Sequence, residues 1–299
     1  MSDITLTVFT PTYNRQYNLV KLFESLRVQT DKDFKWHIID DGSKDQTKEF
    51  VKGFIAENAV NIEYTYQENS GKYVAHNNAV KMCSTELFAC VDSDDTLVPT
   101  AVEKIKTLWK SVKNNDKLCG MVSPRNMPGC KGFVNAPESG TLMNLYNGGY
   151  FHGETLLVFR SDVIKNYLFP EIPGERFMTE SIIYNQIDKD YVLYYDNSFL
   201  CQGEYLEGGL TKTANLLNFK NPISSLVAYN NTAAFQTNLL KSSKSYGCYK
   251  AWKKVMNVPD ADCMWHVPFK VRFCGSLLTK HYLRLFKDQK KLFEDKHNG

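Results

Sequence analysis

The chain has 299 residues, 43% of them hydrophobic and 23% charged, which suits one large α/β domain or such a domain with a smaller appendage. It contains no uncharged apolar run of about 18 residues, and MSDITLTVFTP lacks the sections of a signal peptide, so a cytosolic protein without a spanning helix is expected. Charge is uneven: residues 241–299 carry thirteen Lys and Arg against five acids, net +8, which leaves −5 for the first 240 residues.

Along the chain, short β-branched and aromatic runs alternate with helix-period segments. Ile4–Phe9, Lys35–Ile39, Asn61–Tyr66 and Leu87–Val91 read as strands. Leu19, Leu22, Phe23 and Leu26 recur at i, i+3, i+4 and i+7, the spacing of an amphipathic helix. Lys44–Glu57 and Lys72–Cys83 are the next helical segments. A β-α-β-α-β-α-β order predicts a mainly parallel sheet with right-handed crossovers and helices on both faces. In such sheets ligands bind beyond the carboxyl ends of the strands.

Those ends are polar in all four strands: TPTYNR (Thr10–Arg15), DDGSKD (Asp40–Asp45), ENSGK (Glu68–Lys72) and DSDD (Asp92–Asp95). A lone D-x-D is weak, because solvated acidic turns are common. Four polar endings lining one crevice carry more weight. The chemistry they suggest is binding of a nucleoside diphosphate through Mg²⁺ or Mn²⁺, which takes one or two carboxylates plus phosphate oxygens. Lys72, at a helix start, adds a cation and backbone amides for the same phosphates.

The run TVFTPTYNR, HIIDDGSKDQT, ENSGKYVAHNNAV and FACVDSDD resembles, over about the first 100 residues, the nucleotide-binding half of family 2 inverting glycosyltransferases of the GT-A fold. Residues 152–187 and EYLEGGLT (Glu204–Thr211) are similar to the acceptor half of a bacterial surface-polysaccharide branch. The resemblance implies a Rossmann-like domain over 1–215, with a nucleotide-binding half (1–100) and an acceptor half (101–215). A basic, mainly helical region over 216–299 follows. It also implies that Thr10, Pro11, Tyr13, Asp41, Asn69, Lys72, Asn77, Asp92 and Ser93 bind the donor, with Asp41 on the nucleobase. Asp94 and Asp92 would hold the metal, Glu180 would be the catalytic carboxylate, and Glu154 would contact sugar or acceptor or make a structural hydrogen bond. The partners implied are a nucleoside-diphosphate sugar, with UDP as carrier, and a glycan or lipid-linked glycan acceptor, with no nucleic acid. Two positions depart from the family pattern: His76 stands where many members have Arg, and Ser181 replaces the acid that usually follows the base.

In that mechanism Glu180 takes the acceptor hydroxyl's proton while the metal offsets charge on the leaving diphosphate from the opposite face of the sugar. Alone, Glu180 also reads as an acid favoured at a helix N-terminus. His152 reads as a packed or solvated histidine before it reads as a ligand. Asp95 is expected to turn outward and cap the helix near Pro99. VDSDDT also satisfies the D-x-D-x-T pattern of haloacid-dehalogenase-like phosphatases, with Asp92 as nucleophile. A non-catalytic nucleotide-sugar-binding protein is a third class.

The eight cysteines form no C-x-x-C pair and no zinc spacing, as buried reduced thiols would. Val267–Phe293 interleaves aromatic and aliphatic residues with Lys and Arg, the composition of a basic amphipathic helix on an anionic membrane surface. That would place the protein peripherally on the cytoplasmic face.

Overall fold

The computed structural model describes residues 5–203, 216–262 and 264–297, with side chains to residue 295. These fold into two compact units, one drawn from residues up to 168 and from 190–203, the other from 169–189 and from residue 216 onward.

The first unit is built on β1 (Leu6–Thr12), α1 (Gln16–Arg27), β2 (Phe34–Asp40), α2 (Thr47–Glu57), β3 (Asn61–Tyr66), α3 (Lys72–Met82) and β4 (Leu87–Cys90). It continues with β5 (Thr96–Leu97), α4 (Ala101–Val112), β6 (Leu118–Asn126), β7 (Ser139–Gly140), α5 (Leu142–Asn147), β8 (Thr155–Arg160) and α6 (Ser161–Ile164). After the excursion into the second unit it closes with β9 (Val192–Tyr195) and β10 (Cys201–Gln202).

Two boundaries differ from the expectation by three residues, and the others by no more than two. α2 begins at Thr47 rather than Lys44, because the Asp45 carboxylate accepts from the Thr47 amide (3.1 Å) and hydroxyl (2.6 Å) and holds the preceding residues in a turn. β1 runs three residues past Phe9, through Pro11. Proline is tolerated in this central strand because pairing with β4 stops at Phe9, on the side that Pro11 faces, while the β2 side continues to Thr12.

The sheet is ordered β3-β2-β1-β4-β8-β6. The first four strands are parallel, and β8 is antiparallel to both β4 and β6. The mainly parallel expectation therefore holds for the first half and gives way to a mixed sheet beyond it. β9 and β10 run parallel to β6, and β10 also pairs antiparallel with β5. Leu19, Leu22, Phe23 and Leu26 are fully buried, or nearly so, in the main core, where the Phe23 ring stacks on Phe54 with centroids 4.3 Å apart. The four positions of the i, i+3, i+4, i+7 stripe thus account for the buried face of α1.

The second unit contains α7 (Ser181–Ile187), α8 (Pro222–Phe235), α9 (Leu239–Met256) and α10 (Phe269–His297). Trp252, Phe286, Leu226 and Phe219 centre one core. α9 and α10 run in the same direction at close range: a Cβ on Gly275 would lie 2.6 Å from the Ser243 carbonyl oxygen, so a larger residue there forces the helices to shift.

Polar side chains do much of the joining. Glu175 accepts from the Ile223 (2.7 Å) and Ser224 (2.6 Å) amides at the start of α8. Asn221 accepts from the Arg176 and Phe177 amides, and Asn231 donates to the Ile182 carbonyl while accepting from Asn185. Residues 169–189, grouped by sequence with the acceptor half, therefore pack with the C-terminal helices. The expected boundary at 215 and the stretch Glu204–Thr211 lie outside the described residues.

Candidate functional site

The carboxyl ends of β1 to β4 share one edge because their register aligns Thr12 with Asp40 and Asp40 with Tyr66. The loops that follow are cross-linked. Asn14, at a φ of 52°, accepts from the Lys44 amide (2.8 Å), and its own amide donates to Ser43 Oγ (2.8 Å). Asp40 accepts from the Ser43 amide and the Tyr64 hydroxyl, at 2.8 and 2.7 Å. Asp41 is buried, and its two oxygens accept from the Gln67 side chain and the Ser70 and Gly71 amides, each at 2.8 Å. Gly42, at a φ of +84°, allows the approach: a Cβ there would sit 2.8 Å from the Asn69 amide nitrogen.

DSDD follows β4 and is fixed at both ends. A turn bond runs from the Asp95 amide to the Asp92 carbonyl (3.0 Å), and β5 pairs with β10 directly afterwards. Lys72, the first residue of α3, places its ammonium 2.7 Å from Asp92 Oδ1, and Arg15 comes to 3.4 Å from Asp94 Oδ2. The Asp92 and Asp94 side chains are 34% and 26% exposed, so both are open to a ligand. Burial pushes the Asp92 carboxyl up, but Lys72, helped by Arg125 and Arg15, outweighs it and holds it below the ordinary carboxylate value.

Asp95 behaves differently from the expected outward cap. It is 3% exposed, and its carboxylate meets Arg125 Nη2. Burial, with Asp92 and Asp94 nearby, pushes it up to about 7 despite that contact. Arg125, at the end of β6, also reaches Glu154 Oε2 at 2.5 Å. Burial disfavours the Arg125 charge, but Asp95 and Glu154 outweigh it and strengthen its hold on the proton. The sequence reading missed this residue. Its signal is an arginine closing an otherwise buried strand, LCGMVSPRN, where a cation needs acidic partners.

A family model described as "Glycosyl transferase family 2" matches residues 7–127, the span that carries all these loops. Residues 7–127 are similar to family 2 glycosyltransferases. Among curated relatives, the uncharacterized glycosyltransferase YibD of Escherichia coli is 35% identical over 103 residues, 34% of this chain and 30% of that protein. The GalNAc(5)-diNAcBac-PP-undecaprenol beta-1,3-glucosyltransferase of Campylobacter jejuni is 25% identical over 291 residues, 94% of this chain and 86% of that one. The match spans only 23% to 30% of the length of YibD and two rickettsial glycosyltransferases. Among solved structures, TarS 1–349 of S. aureus in complex with UDP-GlcNAc has a TM-score of 0.59 at 17% identity, over 98% of this chain and 91% of that one. A mannosyltransferase of Pyrobaculum calidifontis with GDP-Man and Mn²⁺ has a TM-score of 0.53 at 13% identity, over 95% and 73%. The fold is that of GT-A glycosyltransferases.

Within the matched span the other expected donor residues differ in access. Thr10 is fully buried, and its hydroxyl accepts from Trp36 Nε1 at 2.9 Å. Pro11, Asn77 and Ser93 are also buried, Asn69 is half-buried, and Tyr13 is 43% exposed. The Ser70 and Gly71 amides, next to the Lys72 expected at the phosphates, are committed to Asp41. His76 is buried edge-on to Phe9 and Phe88, with centroids 5.9 and 5.4 Å away, so it packs under the site as an aromatic residue. His152 is exposed.

Glu180 belongs to the second unit. It is exposed and immediately precedes α7, and its carbonyl accepts from the Ile183 amide at 3.2 Å. Beside it, the Thr179 and Ser181 hydroxyls are 3.2 Å apart. The nearby Glu175 is a helix cap by its contacts.

Proposed function

We propose that the protein is a metal-dependent inverting glycosyltransferase that moves a sugar from a nucleoside-diphosphate donor, with UDP as carrier, to a hydroxyl of a glycan or lipid-linked acceptor. The observation that carries the reading is the charged mouth of the sheet. Asp92 and Asp94 stand half-open in the span similar to family 2 glycosyltransferases, with Lys72 and Arg15 beside them. The relatives named for sugar transfer, and the neighbours solved with UDP-GlcNAc or GDP-Man, support the substrate class.

Two carboxylate donors separated by one residue suit Mn²⁺ or Mg²⁺, with diphosphate oxygens completing the coordination. Asp92 and Asp94, one residue apart and both partly exposed, would hold the ion; among the described residues no three His, Cys, Asp or Glu side chains gather into a metal cluster, so the remaining oxygens would come from the donor. A bound divalent ion would offset charge on the leaving diphosphate. Lys72 and Arg15 add fixed positive charge for the same phosphates. Tyr13 borders the nucleoside, with Thr10, Pro11, Asn69, Asn77 and Ser93 forming the wall behind it. Asp41 reaches the base either directly or through the loop it holds. Glu154 acts on sugar or acceptor from its place beside Arg125. Glu180 takes the acceptor proton as general base. An acceptor carried on lipid would place the protein peripherally on the cytoplasmic face of a membrane.

The test is nucleoside diphosphate release from a panel of sugar nucleotides with Mn²⁺ or Mg²⁺, run beside phosphate release from a generic ester. Release from a sugar nucleotide alone supports transfer. Ester hydrolysis that depends on Asp92, without release from any sugar nucleotide, would establish the phosphatase reading, which the three β-α pairs ahead of β4 disfavour. Binding without turnover would leave a sugar-nucleotide-binding protein.

A further inference from the structure

α10 buries one side and leaves the other open. Val271, Gly275 and Phe286 face the helical core. On another side Phe269, Phe273 and Leu277, four residues apart, are 71%, 61% and 73% exposed. Lys280, Arg284 and Lys287 are exposed and continue the same stripe, all six side chains falling within an arc of about 80° at 3.6 residues per turn. α9 opens with two further exposed residues, Leu239 and Leu240 at 51% and 62%. They stand at the same end of the helix pair as Phe269, since Ser243 of α9 lies against Gly275 of α10.

Large apolar side chains gathered on one exposed stripe mark an interaction surface. The charge identifies the partner. From Phe269 to Lys287 there are five Lys or Arg and no acid. Two copies of such a face would repel each other, whereas an anionic bilayer takes apolar side chains at the headgroup boundary and cations at its phosphates. No helix among the described residues is long and apolar enough to cross a membrane, so this face would lie on a bilayer rather than span it.

We propose that this stripe of α10 docks on an anionic lipid bilayer, with Phe269, Phe273 and Leu277 entering the headgroup region and Lys280, Arg284 and Lys287 meeting lipid phosphates. It deepens the peripheral placement proposed above, and rests on that reading only for its purpose. The test is co-sedimentation of the full chain with phosphatidylcholine vesicles, with and without phosphatidylglycerol.

The full chain binds only the phosphatidylglycerol vesicles, and binding weakens as salt rises from about 0.1 M to about 1 M, where the screening length falls from about 10 Å to about 3 Å. Phe269→Ser with Phe273→Ser and Leu277→Ser lowers binding at least about tenfold, since each side chain loses most of its apolar area. Lys280→Glu with Arg284→Glu and Lys287→Glu removes the salt-sensitive part. Circular dichroism and UDP binding stay unchanged in both variants. Equal binding to both vesicle types, or none, overturns the proposal. So does a dimer of the full chain, seen by sedimentation, that the serine variant converts to monomer. Nucleoside diphosphate release on the same samples separates the two readings: vesicle binding without release overturns only the transfer function, and release without vesicle binding overturns only the docking surface.

Discussion

The two units differ in where their polar groups stand open. In the first, apolar side chains and strand pairing build the frame, and charge collects at the carboxyl edge, where Asp92 and Asp94 stay open to solvent. In the second, polar side chains are part of the frame: Glu175, Asn221 and Asn231 are buried and hold chain segments together. An open acid is thus a candidate for chemistry, and a buried acid that caps amides or pairs with a cation is a candidate for architecture. Glu180 and Glu175 lie five residues apart in the same unit, and they put this distinction to the test.

The largest effect is expected at Glu180. Glu180→Gln keeps the shape but removes the base, so transfer should fall by about 10²–10⁴-fold while the donor dissociation constant stays the same. Calorimetry of donor binding beside a transfer assay checks this. Transfer within a few-fold of the parent would move the base elsewhere, and a collapse of donor binding would make Glu180 a recognition residue.

Glu175→Gln should act on stability instead. Gln offers one accepting oxygen where the carboxylate offers two, so one amide at the start of α8 is left unsatisfied, at a cost of about 1–3 kcal/mol in denaturant unfolding. A variant with parental stability and no transfer would reverse the assignment and make Glu175 chemical.

The first unit was the more legible in the sequence for a physical reason. Its strands are short β-branched runs and α1 shows a clean stripe, because burial on one side imposes a period. The four polar strand ends were legible because parallel strands must end on one edge. Side-chain partnership was not legible. Nothing in DSDD says that Asp95 turns inward to Arg125, 30 positions later, while its neighbours stay open. In the second unit, α8 buries Ser224, Ser225, Asn230 and Asn231 alongside Leu226 and Val227, so its buried face has no apolar signature. Part of the association of residues 169–189 with these helices is made by such asparagine bonds and by Glu175, which carry no sequence period.

A smaller effect should separate the frame of the first unit from its site. His37 on β2 is 1% exposed and bonds Thr65 Oγ1 at 3.0 Å. Burial pulls its pKa below 6.5, with Lys35 adding to this and Glu63 opposing it. The unfolded chain therefore binds this proton first, and stability should fall as pH drops below about 6.5 toward the lowered folded value. His37→Gln should flatten that part of the curve in urea unfolding at several pH values, with donor binding at pH 8 unchanged. An unaltered pH slope would remove His37 as its source.

The central claim is that the open carboxylates of the first unit, together with a divalent ion, hold a nucleoside diphosphate. The most direct measurement is calorimetric titration of UDP into the parent, Asp94→Asn and Asp92→Asn proteins, each with Mn²⁺ and with EDTA. The parent should bind UDP much more tightly with Mn²⁺, and both variants should lose that gain while unfolding at the parental midpoint, since neither side chain lies in the core. UDP binding that is equal with Mn²⁺ and with EDTA, or a metal-dependent gain that survives in both variants, would contradict the account.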